Sequence, residues 1–158
     1  MIEPNLCWAF FWRLVLRLTL ILLFALFITA CSTSPSKPGH APVSEVEFSN
    51  LYLRGVFNWW EASASYQLKR SASGWYVDVE LIADGQPYDF RLSDKHWSSG
   101  QTCGSEYQGE RIITEQTTYL ICGDASQNLQ FTPGQTGVYR FRFAESTNNR
   151  ISLSIARR

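Results

Sequence analysis

The chain has 158 residues, enough for one domain. Lys+Arg 14 and Asp+Glu 14 cancel to zero formal net charge, which gives nucleic acid no electrostatic foothold. Aromatic residues reach 15% and there is one Met, a bias toward strands over helices.

The first thirty residues are a different material. Arg13 and Arg17 precede an apolar run over residues 18–27, followed by Ile28-Thr29-Ala30-Cys31-Ser32. A positive n-region, an apolar h-region and small residues before a cysteine form a secretory signal. The run is shorter than the roughly 20 residues that span a bilayer. Thr29-Ala30-Cys31 resembles the bacterial lipobox, which implies cleavage before Cys31 and a diacylglycerol on its thiol. With Ser32 next, sorting rules of enteric-type bacteria imply the outer membrane. Residues 1–30 are thus expected to be a lipoprotein signal peptide. Residues 31–45, rich in Pro and Ser, read as a disordered tether, and residues 46–158 as the folded domain. The expected location is the cell envelope, held by the lipid.

Cys7 would leave with the signal and Cys31 would be lipidated, so Cys103 and Cys122 remain. In an oxidising compartment they are expected to form one disulfide. Its loop of about 20 residues contributes roughly 3 kcal/mol in the chain-entropy model. Two thiols without a histidine cluster match no zinc pattern, and neither metal nor cofactor is expected.

From residue 46 the text is strands and turns. Val46-Glu47-Phe48 opens the first strand, and 51–57 is the next, bending at Gly55. Residues 66–70 form a short strand. In 75–81, Trp75, Val77, Val79 and Leu81 share one face, opposite Asp78 and Glu80. Asp84-Gly85 is a hairpin dipeptide, after which Tyr88, Phe90 and Leu92 point inward. Residues 94–109 are polar and hold Trp97 and Tyr107. Strands are expected over 110–114, 117–122 and 128–132. In 138–143, Tyr139, Phe141 and Phe143 face inward while Arg140 and Arg142 face out. Asn148-Asn149 is a turn, and Ile151, Leu153 and Ile155 close the core. The pattern predicts an all-β sandwich of about seven or eight strands.

Catalysis finds no constellation here. His40 lies in the tether and His96 in a loop. There is no nucleophile elbow and no phosphate loop. Asp78 and Glu80 sit on a strand face rather than across a sugar cleft. The protein is therefore expected not to be an enzyme. Binding has better material. Sugar rings present apolar C–H faces that indoles match. From an extended chain, Trp59 and Trp60 must point to opposite faces, so one is expected packed and the other exposed; the alternative is that both are partly covered core residues.

Residues 51–60 (LYLRGVFNWW), then Tyr66-Gln67-Leu68, Gly74 to Leu81 and Tyr88 to Trp97 together resemble the early-set glycogen- and starch-binding module. Modules of this family accompany pullulanases, amylases and branching enzymes. The resemblance covers residues 51–97 well and the remainder weakly. It implies an immunoglobulin-like sandwich and α-glucan, or another oligosaccharide, as ligand. The stacking tryptophans fall on Trp60 and Trp97, with Trp59 as an added indole. The basic sugar-contacting position falls on Arg91, where the family has Lys. Asn58 and the late Asn128 complete the expected hydroxyl-bonding set. The alternative is a structural or docking lipoprotein whose sandwich meets another envelope protein through a sheet edge or the Trp-rich end, with the outer face of Arg140 and Arg142 as a further contact surface or simply a solvated strand face.

Overall fold

The structure is a computed structural model that describes residues 46–146 and 150–158. The expected signal peptide, tether, lipidated Cys31 and the turn at 148–149 lie outside the described residues. The described residues belong to one compact unit.

The described residues contain ten strands and no α-helix. They are β1 (Tyr52–Gly55), β2 (Lys69–Ser71), β3 (Gly74–Leu81), β4 (Tyr88–Ser93), β5 (Cys103–Gly104), β6 (Glu110–Ile112), β7 (Thr117–Cys122), β8 (Leu129–Phe131), β9 (Gly137–Ser146) and β10 (Arg150–Arg157). One layer runs β2-β3-β9-β10-β7, and β5 carries the hydrogen-bonded path on to β4, β8 and β6, with β1 on the other side of β4. All pairings are antiparallel except β6 with β8.

The strands form where alternation is clean. Val77, Val79 and Leu81 of β3, Tyr139, Phe141 and Phe143 of β9, and Ile151, Leu153 and Ile155 of β10 are all buried in one core. The second layer closes over them: Phe90 of β4 meets Phe141 edge-on at 5.3 Å, and Phe131 of β8 meets Tyr139 at 5.2 Å. Each such side chain, fully buried, contributes about 1.5–3 kcal/mol of transfer free energy. Trp75 packs against this core and stacks on Phe48 at 5.9 Å, as the phase of its strand requires.

Some local expectations change. Val46 to Phe48 opens no strand. Glu47 caps a single-turn 3-10 helix at Phe48–Asn50 by accepting from the Ser49 amide. The strand expected over 51–57 stops at Gly55 and turns into a second 3-10 helix, Val56–Asn58. Tyr66 likewise ends a 3-10 turn, and the short strand that follows is β2. β5 emerges from the stretch read as a polar loop because Cys103 pairs in register with Leu92 on one side and Cys122 on the other. The Cys103–Cys122 disulfide is present. It closes between directly opposed strand residues.

Candidate functional site

The tryptophans are positioned by how β1 ends. A Cβ at Gly55 would lie 2.6 Å from the Asp89 carbonyl oxygen and 2.7 Å from the Phe57 ring. Only glycine allows β1 to pass β4 this closely while Phe57 folds back. The chain then turns through Val56–Asn58, and the Trp60 N–H donates to the Gly55 carbonyl at 2.9 Å. This six-to-one closure is the bond of a Schellman ending, which usually employs glycine in the left-handed region. Here the left-handed residues are Trp59, at φ 54°, and Trp60, at φ 61°.

Asn58 builds this turn. Its Oδ1 accepts from the Gly55 N–H at 2.9 Å, and its Nδ2 donates to the Leu53 carbonyl at 3.0 Å and the Glu61 carbonyl at 3.2 Å. The side chain is buried, and both amide ends are committed to backbone. The expectation that Asn58 bonds a sugar hydroxyl is therefore corrected: it shapes the site from beneath. The expected split between Trp59 and Trp60 is seen, for a different reason. Trp59 is 87% exposed and Trp60 is half-buried. Two consecutive left-handed residues separate them, not the alternation of an extended chain.

Trp97 arrives from the loop after β4, and it too is left-handed, at φ 59°. Three of the four non-glycine residues with positive φ among the described residues are thus Trp59, Trp60 and Trp97. A bulky side chain in that region is a genuine outlier, costing on the order of 1–3 kcal/mol per residue. The Trp60 and Trp97 rings lie 6.2 Å apart between centroids and are tilted by 42°. Trp97 is 39% exposed.

Arg54 holds the two turns together. From β1 its Nε donates to the Trp60 carbonyl at 2.6 Å, and its Nη1 donates to the Asp94 carbonyl at 2.9 Å. The guanidinium carbon lies 3.9 Å from the centre of the Trp97 ring, a cation–π contact. Burial lowers the Arg54 pKa, and the nearby Asp94 charge opposes that shift; a guanidinium stays protonated regardless. Sequence reasoning passed over Arg54. The available signal was a charged residue between Leu53 and Gly55, on the strand face away from the core.

The loop itself is wrapped around Asp94. Its Oδ1 accepts from the Ser98 N–H at 2.8 Å and the His96 N–H at 3.2 Å, and its Oδ2 accepts from the Ser98 hydroxyl at 2.6 Å. Burial pushes the Asp94 pKa up, but the bonds from Ser98 and His96 outweigh it, and the net shift is downward. Behind the loop, the Ser93 and Thr102 hydroxyls meet at 2.8 Å.

Arg91 lies directly opposite Arg54 in the β1–β4 ladder. Its Nη2 donates to the Ser126 carbonyl, and its Nε is buried without a partner. Asn128 immediately precedes β8. With Leu129 opposite Phe90, Asn128 falls beside Arg91, one step beyond the paired register, and is half-buried. The structure thus brings Trp60 and Trp97 together and sets Arg91, on β4, beside Asn128, just before β8. No group of three or more His, Cys, Asp or Glu able to hold a metal occurs among the described residues.

The fold and the site together define an all-β sandwich carrying a strained aromatic pair at one end of a sheet. No family model and no curated protein matches the chain. Among solved structures, the ligand-induced structure of the starch-binding domain AmyP-SBD is similar, at TM-score 0.46 and 16% identity, covering 68% of this chain and 70% of that one.

Proposed function

We propose that this protein is a non-catalytic binding module for α-glucan chains. Trp60 and Trp97 stack on successive glucose rings, and Arg91 and Asn128 bond the hydroxyls. The observation that carries the reading is the aromatic pair: two indoles 6.2 Å apart and tilted by 42°, each in a strained left-handed conformation. Coplanar rings suit the flat ribbon of a β-glucan. Tilted rings suit the α-linked chain, which turns from one sugar to the next. Backbone strain of this kind clusters where binding geometry is set. Trp59, the most exposed of the three, forms an outer edge that a bound chain can reach.

Cys31 supplies the lipid anchor in this reading, and the outer membrane is the site of action. The anchor's support is the order of charges, apolar run and Thr29-Ala30-Cys31 in the sequence. Shallow sugar sites bind weakly, and many copies on one surface raise the effective affinity for a polymer. The docking alternative uses a sheet edge, the Trp-rich end or the face of Arg140 and Arg142; of these, Arg140 is held by Asp78 in two bonds, of 2.7 and 2.8 Å.

The test is a tryptophan-fluorescence titration of the full chain, in a detergent without a sugar headgroup, against maltoheptaose and cellohexaose. Saturable quenching by the α-glucan alone is expected, lost in folded Trp60→Ala and Trp97→Ala variants. A folded protein that ignores millimolar maltoheptaose would refute the proposal.

A further inference from the structure

An open groove of about 270 Å³ is lined by Asn50, Tyr52, Asp94, Lys95 and His96. It adjoins the aromatic pair through neighbouring residues. Tyr52 and Arg54 are two apart on β1 and so point to the same side. The Arg54 Nη1 that serves the aromatic site donates to the Asp94 carbonyl, which belongs to the groove wall. His96 directly precedes Trp97 in the chain.

We infer that this groove is a second subsite that receives the continuation of a chain already stacked on Trp60 and Trp97. The inference rests on the glucan reading. The volume falls just short of the ~300 Å³ at which small-molecule pockets begin, so it suits an arm of a longer ligand better than a separate one. Its chemistry is that of a sugar subsite. The half-buried Tyr52 ring offers a stacking surface beside exposed Asn50, Lys95 and His96. The Asp94 carboxylate is occupied by Ser98 and by the His96 N–H. The remaining polar groups, an amide, an ammonium and an imidazole, are all able to donate to hydroxyl oxygens. One loop supplies Asp94, Lys95 and His96 to the groove wall and Trp97 to the platform, so a single chain can touch both.

The consequence is a dependence of affinity on chain length. It is read by calorimetric titration of the full chain, in sugar-free detergent, with maltotriose and maltoheptaose. Tyr52→Ala is expected to weaken maltoheptaose about tenfold, the effect of losing one stacked ring with its buried area, and to leave maltotriose unchanged. An Asn50→Ala/Lys95→Ala double variant, altered only at exposed positions, is expected to move the same way and decides the matter if Tyr52→Ala fails to fold. Long chains also gain statistically from multiple registers, but that gain persists in the variants, so the loss on substitution reports the groove. Equal losses for both sugars, or no loss for either, would overturn the subsite while leaving the glucan reading intact. Failure of the unaltered protein to bind either sugar would remove both.

Discussion

On the outer face of the β3–β9–β10 sheet, Asp78 accepts two bonds from Arg140 and a third from Arg158 at 3.0 Å, and the Arg140 guanidinium lies 4.1 Å from the Tyr76 ring. On the outer face of the β1–β4 sheet, Arg54 also rests on an aromatic ring, yet its bonds go to main-chain carbonyls. The same two ingredients give opposite results. In the first region charge is cancelled between strands and the surface is finished. In the second, a guanidinium is used to fix two strained turns so that indoles stay at the surface. The ring under Arg54 is carried by backbone that the same guanidinium holds, whereas the ring under Arg140 is not.

Several substitutions would break or sharpen this contrast. The largest effect is expected from Arg54→Met, which strips the Trp60 and Asp94 carbonyls of a charged donor. Hydrogen bonds to charged groups contribute about 1.5–3 kcal/mol each. A stability loss of about 3 kcal/mol in urea denaturation should accompany a fall in maltoheptaose affinity of at least about tenfold. Retained affinity in a folded Arg54→Met protein would show that the clamp does not position the rings.

Acid should act next. The folded-state pKa of Asp94 is lowered, so the loop's stabilisation is fully present above the ordinary aspartate value, about 3.9, and is lost as pH falls through the lower folded value. Glucan affinity is expected to be flat from neutrality to about pH 5 and to fall below about pH 4. Asp94→Asn should weaken binding at neutral pH and flatten that profile. Asp78 is lowered as well, mainly by its bond from Arg140, so its protonation in acid should cost stability on the opposite face without moving glucan affinity.

A smaller effect, of reversed sign, is expected at Trp59. Asparagine tolerates the left-handed region where tryptophan does not, and an 87% exposed ring has little packing to lose. Trp59→Asn should raise stability by about 1 kcal/mol while weakening polymer binding modestly, as measured by thermal unfolding and pull-down on insoluble starch. The smallest effect on binding is expected from Asp78→Asn. It should lower Tm by less than Arg54→Met does and leave the oligosaccharide titration unchanged.

The sandwich was largely legible because its strands obey a period of two: Val77, Val79 and Leu81, then Tyr139, Phe141 and Phe143, announce one inner face each. Cys103 and Cys122 could be paired by elimination. The site was legible only in part. Trp60 and Trp97 are separated in the chain by β2, β3 and β4, and nothing local to either says that their rings meet. Asn58 looked like a ligand residue because amides often bond hydroxyls, but the same group satisfies buried backbone in a tight turn, and burial decides between the two uses. Arg54 was missed because its role depends on where two distant turns leave their carbonyls. Left-handed tryptophans could not be foreseen either, since propensity argues against them and only the closing bond to Gly55 and the Asp94-wrapped loop enforce them.

Those left-handed indoles also set how this surface would age. On the glucan reading, the strain at these positions is maintained by the use of the rings that carry it. In a relative that had abandoned its ligand, glycine or asparagine at positions 59, 60 and 97 would raise stability and meet no opposing selection. These three positions would then drift before any strand residue did. On that reading, a sandwich of this type with all three tryptophans replaced would have lost glucan binding while keeping its core and its disulfide.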